Sequence, residues 1–200
     1  MRRDINFKRE LMLIENMKVI EIKKIALVQI VAAVYESKKA ETTGFLGGDA
    51  RRSRFIVEFA QPAQIVERKP SSIGYDNEWK RIREIISKDY DFIGGFHSHL
   101  KTIVQDKLEK KVDFGSVMLS ETDLATIKKQ YPNGIEIVVA LNPIMRRMSA
   151  TISADKITGC VGNGGGDNYK VEIGAYYLDE SLRKRRAELC VKKRHLNAVF

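Results

Sequence analysis

The chain has 200 residues, of which 44% are hydrophobic and 30% charged, with a formal net charge of +9. That length and balance describe one soluble globular domain able to bury a core, and exclude a disordered or fibrous chain. No apolar run is long enough to span a bilayer, no signal-peptide core follows Met1-Arg2-Arg3, and Cys160 and Cys190 form no C-x-x-C pair. The expectation is a cytoplasmic protein with two free thiols and no membrane partner.

Residues 1–17 mix charge with apolar groups and read as an N-terminal leader; residues 18–200 read as a single domain. Val19-Ile20-Glu21-Ile22 predicts a short strand. Leu27, Ile30, Val31 and Val34 recur at i, i+3, i+4 and i+7, which predicts a helix from Lys23 to Lys38 with one buried face. Strands are predicted over Gly44 to Gly48 and Phe55 to Phe59, and a helix over Asn77 to Lys88 with Trp79, Ile82 and Ile86 inward. Asp91-Phe92-Ile93-Gly94-Gly95-Phe96-His97-Ser98-His99 predicts a buried strand whose glycines allow close backbone approach. The polar stretch 100–119 reads as an inserted loop. A helix over Ser120 to Gln130 follows, then strands over Ile135 to Leu141, Met148 to Ile152 and Val171 to Leu178. From Asp179 onward the chain reads as a basic C-terminal helix. Mixed strands and helices predict an α/β fold: a curled mixed sheet sandwiched by helices.

Two of the three histidines in the chain, His97 and His99, stand one residue apart. Side chains at i and i+2 of a strand share a face, so both rings leave Cα atoms about 6.6 Å apart towards one point. That suits two imidazoles on one zinc ion. Asp123, just inside the predicted helix start, is the best third ligand, and three protein ligands leave one position for water, as in catalytic sites. Ser120-Glu121-Thr122-Asp123 is also a capping box; Ser120 can cap the helix while Asp123 faces the metal.

Glu41-Thr42-Thr43-Gly44-Phe45-Leu46-Gly47-Gly48, then Gly94 to His99, then Ser120 to Asp123 together resemble the JAMM (MPN+) metalloprotease family. Its pattern is a glutamate segment, a strand ending in H-x-H, and S-x-x-D opening a helix. The likeness runs from about Val19 to Leu141, and it departs from the family after His99. There Leu100 stands where proline is common, and twenty residues, rather than about seven, precede Ser120. The resemblance implies the three-layer architecture of the MPN and cytidine-deaminase folds, with zinc as cofactor on His97, His99 and Asp123. It implies Glu41 as general base and Ser120 as oxyanion donor. The implied activity is zinc-dependent isopeptidase cleavage of ubiquitin-like protein conjugates.

Two other readings come from different classes. A non-catalytic scaffold of the same fold is disfavoured because all the metal ligands are present. A metal-bearing relative acting at nucleic acid is prompted by the segment from Arg183 to Arg194, which holds seven basic residues against one acid, Glu188. No aromatic residues interleave there to stack on bases, which favours a solvated helix face. The H-E-x-x-H and H-x-E…P-C-x-x-C signatures are absent. Nothing in the sequence fixes the modifier or the oligomeric state.

Overall fold

Runs of β-branched and aromatic residues, interrupted by glycine, make strands the dominant element. The computed structural model describes residues 18–37, 41–51, 53–63, 67–69, 72–74, 84–85, 87–100, 102–105, 110–113, 116–162 and 167–200. In chain order the first half comprises β1 (Val19–Ile22), α1 (Lys24–Glu36), β2 (Thr43–Ala50), β3 (Arg54–Pro62), β4 (Glu67–Lys69), β5 (Ser72–Gly74) and β6 (Asp91–Leu100). Then come β7 (Thr102–Gln105), β8 (Lys110–Asp113), α2 (Glu121–Gln130), β9 (Ile135–Ile144), β10 (Thr151–Ile152) and β11 (Ile157–Gly162). The chain ends with β12 (Asn168–Leu178), β13 (Lys184–Arg186), β14 (Glu188–Cys190) and α3 (Lys193–Leu196).

Ten strands form one mixed sheet in the order β10-β11-β12-β9-β6-β2-β3-β1-β14, with β13 paired to β12. β1 runs parallel to β3 and β14, and β6 runs parallel to β9; the other pairings in this sheet are antiparallel. β13 and β14 are separated only by Ala187, yet they pair with β12 and β1, which lie far apart in the strand order. The Ala187 N–H donates to Ala175 O at 2.9 Å and the Glu188 N–H to Lys18 O at 3.0 Å. This step carries the chain from one side of the sheet to the other and curls it nearly shut, as in a barrel.

Inside the curl, α1 contributes Ala26, Leu27, Ile30, Val31, Ala33 and Val34 to a core shared with most of the sheet strands. Gln29 Oε1 accepts the Ala60 N–H at 2.9 Å, fastening α1 to β3. β9 is buried from Ile135 to Asn142, as a near-continuous apolar run requires. On its other side a smaller cluster of Leu119, Ile127, Val138, Tyr176 and Leu178 lies under α2.

The expected α/β sandwich is therefore corrected. The architecture is a strand-dominated, nearly closed mixed sheet, and among the described residues there are three helices, which cover patches of it rather than forming layers. Two expected non-strand segments account for much of the difference. The predicted C-terminal helix is instead β13, β14 and the one-turn α3, because Asp179 turns the chain back: its Oδ1 accepts the Ser181 and Arg183 N–H groups at 3.0 and 2.9 Å. Part of the predicted loop 100–119 is a hairpin, with Thr102 opposite Asp113 and Gln105 opposite Lys110. β11 was not predicted at all. The leader 1–17, Lys38, Trp79, Ile82 and Ile86 lie outside the described residues.

Candidate metal centre

The segments expected to carry the site are tied to their neighbours by strand pairing and by side-chain hydrogen bonds to the backbone. Thr43 lies opposite His97 in the β2–β6 register. The Thr42 N–H donates to the buried Ser98 Oγ at 2.8 Å, the Ser98 N–H donates to Thr42 O at 2.8 Å, and Thr43 Oγ1 donates to Phe96 O at 3.0 Å. Glu41 is thereby held at the mouth of the strand that bears the histidines. On the far side, Tyr176 of β12 donates its hydroxyl to Val117 O at 2.8 Å, and Lys184 of β13 donates to Leu119 O at 3.2 Å. These bonds fix the segment 116–120, which leads into α2.

Both rings turn the same edge inward. His97 Nδ1 meets Glu136 Oε1 at 2.5 Å and His99 Nδ1 meets Ser116 O at 2.7 Å. Each Nδ1 faces an oxygen acceptor and so carries a proton, leaving the two Nε2 atoms facing each other at 3.1 Å. Asp123 Oδ2 lies 3.5 Å from His97 Nε2 and 3.7 Å from His99 Nε2. Among the described residues, His97, His99 and Asp123 form the group of ligand atoms close enough to share a metal ion, all within 4.8 Å of one another.

Ser120 and Asp123 make the expected capping box. The Ser120 N–H and Oγ–H both donate to Asp123 Oδ2, at 2.8 and 2.7 Å, and the Asp123 N–H donates to Ser120 Oγ at 3.1 Å. The carboxylate oxygen that closes the box on the Ser120 N–H is thus the one turned towards the histidines. Ser120 acts here on Asp123, holding the carboxylate in place.

Charge follows from these contacts. Burial alone would depress the His97 imidazole, but hydrogen bonds to Asp123 and Glu136, with their negative charge, push it up to about 10. Burial raises the Asp123 carboxyl, and hydrogen bonds with His97, His99 and Ser120 outweigh it, holding Asp123 well below the usual carboxylate range. Glu41 is pushed up, chiefly by burial and further by the charge of Asp123, against the opposing pull of His99 and His97. Glu41 therefore lies within electrostatic reach of all three ligand residues.

The structure brings His97, His99 and Asp123 within reach of one ion and Ser120 onto Asp123, and leaves Glu41 within their electrostatic reach. Two others were missed. Glu136 is 4% exposed and touches His97, and Tyr131 donates its hydroxyl to Glu136 Oε2. A signal was available, since Glu136 is the lone charge within the apolar run Ile135 to Leu141. Four of the seven basic residues in the segment are engaged within the fold. Arg183 and Arg185 pair with Asp179, Arg186 pairs with Asp155 and lies over the Tyr176 ring, and Lys184 holds Leu119.

Fold and site together define a β-rich protein whose nearly closed sheet carries a two-histidine, one-carboxylate cluster with a further carboxylate beside it. No family model and no curated protein matches the chain. Solved structures do match. The solution structure of protein DSY2949 from Desulfitobacterium hafniense is similar at a TM-score of 0.53 and 14% identity, covering 86% of this chain and 92% of that one. At that identity the likeness concerns the fold alone. Among the described residues, no helix is long and apolar enough to cross a membrane.

Proposed function

We propose that this chain is a zinc-dependent hydrolase of the JAMM type, cleaving the peptide or isopeptide bond between a ubiquitin-like modifier and its target. The proposal rests on the site and not on the overall architecture. The observation that carries it is the convergence of His97 Nε2, His99 Nε2 and Asp123 Oδ2, with separations of 3.1, 3.5 and 3.7 Å, beside the raised carboxyl of Glu41. A tetrahedral site with bonds of about 2.0–2.1 Å has edges of about 3.3–3.4 Å, close to the mean of these three.

When bound, zinc supplies Lewis acidity, polarising a carbonyl and acidifying water to a pKa of about 7. The chain's own groups do the rest. The Glu41 carboxylate, less acidic than an ordinary one, accepts a proton from the attacking water and returns it to the leaving amine. Ser120 holds Asp123 through its N–H and Oγ–H, so the oxyanion role that the motif implies requires its hydroxyl to turn from Asp123 to the substrate. Because His97 and His99 are taken as ligands, no covalent enzyme intermediate is invoked. The substrate class rests on the order of motifs, Glu41, then His97-Ser98-His99, then Ser120 to Asp123. A cytoplasmic location is supported by two free cysteines, Cys160 buried and Cys190 exposed.

The test is cleavage of ubiquitin-like conjugates and C-terminal amides by the zinc-loaded chain, beside Glu41→Gln. The wild type should cleave, and the variant should keep its metal but lose at least about 10²-fold in kcat. If a zinc-loaded wild type cleaves no peptide or isopeptide, the hydrolase reading fails and an interaction module takes its place.

A further inference from the structure

We propose that Glu136, braced by Tyr131, is the positioning residue of the metal centre, fixing the tautomer and orientation of His97. The inference rests on the metal reading above and adds a residue that the motif does not contain.

Three independent features lead to it. The first is register. Gly95 lies opposite Glu136 and His97 opposite Val138 in the parallel β6–β9 ladder. Gly95 and His97 share one face of β6, and Glu136 and Val138 share one face of β9. Glu136 and His97 are therefore diagonal neighbours on one face of the ladder, with Gly95 directly opposite Glu136.

The second is the space at Gly95. A Cβ there would stand 2.8 Å from Tyr131 Oη and 3.0 Å from Glu136 Oε2. The tyrosine–carboxylate pair thus occupies the volume that a side chain at 95 would take, and could keep its place only with a glycine there.

The third is the cost of the carboxylate. Glu136 is 4% exposed in an otherwise apolar strand, where an unpaired carboxylate is strongly unfavourable. Its two oxygens are instead used separately: Oε1 accepts from His97 Nδ1 at 2.5 Å, and Oε2 accepts from the Tyr131 hydroxyl. Tyr131 is itself placed by the C-terminus of α2, where its N–H caps Ile127 O at 3.0 Å, and by the edge of the Phe92 ring. The pair thus links α2, which carries Asp123, to the strand that carries both histidines.

A metal-ligating imidazole is commonly fixed by an acceptor on its other nitrogen, which sets the tautomer, makes the ligand more basic and aims its lone pair. His99 has a neutral acceptor, Ser116 O, in that role; His97 has an anion. A divalent ion on two neutral imidazoles and one carboxylate carries a net single positive charge, which Glu136 balances. Glu136 touches no substrate in this assignment and acts only through His97.

The test measures zinc affinity by chelator competition on the full chain, with Glu136→Gln, Glu136→Ala and Tyr131→Phe. Glu136→Ala should weaken zinc about 10–100-fold. Glu136→Gln keeps an acceptor for Nδ1–H and should recover part of that loss, and Tyr131→Phe should fall between Glu136→Gln and wild type. Cobalt substitution adds a readout that a purely structural role would not move: the visible ligand-field bands of Glu136→Ala should shift. Should the alanine variant fail to fold, ¹⁵N-histidine spectra of the zinc-loaded wild type still decide. They should show His97 protonated at Nδ1 and metallated at Nε2. Wild-type affinity in Glu136→Ala, or metallation of His97 through Nδ1, overturns the assignment while leaving the metal site standing. A wild type that takes up no zinc overturns the metal reading itself, and this inference with it.

Discussion

At the scale of single residues, the contacts of His97 with two carboxylates favour its charged form before any ion binds. The folded pKa of His97, about 10, lies above its ordinary 6.5, so its stabilising contribution is complete below about pH 6.5 and is lost as pH rises towards 10. Asp123 is shifted the other way, so its contribution is present above its ordinary 3.8 and is lost as pH falls through its depressed value. Metal ligation reverses the first sign, because it requires a neutral imidazole and expels the proton on His97 Nε2. Titration calorimetry at pH 7, in buffers of different ionisation enthalpy, should find about one proton released per zinc bound, with apparent affinity rising from pH 6 to 8. A release near zero, or affinity falling over that range, would contradict a charged His97 between Asp123 and Glu136.

His97, His99 and Asp123 were legible as a cluster at this scale because their chemistry is written in short spacings, whereas Glu41 was reached only through the order of motifs. H-x-H needs only a strand, and S-x-x-D only a helix start. Glu136 has no such local signature: it meets His97 from 39 positions away, through a parallel ladder that no short window of sequence reveals.

Elements decide where strain and space are spent. Gly94 and Gly95 were read together as a place of close backbone approach, and the structure gives them different tasks. Gly94 has φ +148°, and a Cβ there would run into the Ile135 carbonyl of β9. Gly94→Ala should therefore cost at least about 3 kcal/mol, through a strained backbone and a clash with main chain that cannot yield. For a chain of this size that is a drop in Tm of roughly 6–12 °C. Gly95→Ala meets side-chain ends that can move, so it should cost about 1–2 kcal/mol while weakening zinc binding by displacing Tyr131 and Glu136. Thermal melts with zinc titrations on both variants separate the two. Equal losses of stability with unchanged metal affinity in Gly95→Ala would remove its part in the site.

The early strands, α1 and α2 were readable from periodicity alone, to within a few residues. The C-terminal third was not. Arg183 to Arg186 look like a charged helix face in isolation, and they form β13 because Asp179 absorbs two of the arginines and β12 offers a ladder. That is tertiary context overriding local pattern.

Across the whole molecule, the site depends on connections between distant parts of the chain. Glu41 precedes β2, the histidines end β6, Ser116 and Asp123 flank the start of α2, and Glu136 opens β9. The β2–β6–β9 ladder sets three of these positions, and bonds from β12 and β13 to Val117 and Leu119 set the rest. The alternation of strands and helices in the sequence predicted a layered sandwich. What it could not convey was that β13 and β14 join β12 to β1 and curl the sheet nearly shut, since both strands are only three residues long and β13 is wholly basic.

The claim on which the rest depends is that His97, His99 and Asp123 hold one zinc ion. Metal analysis of the purified chain, alongside the double variant His97→Ala/His99→Ala, tests it most directly. About one zinc per wild-type chain and none in a folded double variant is the predicted result. Zinc retained at the same stoichiometry without the two histidines, or none taken up by the wild type from excess zinc, would contradict it.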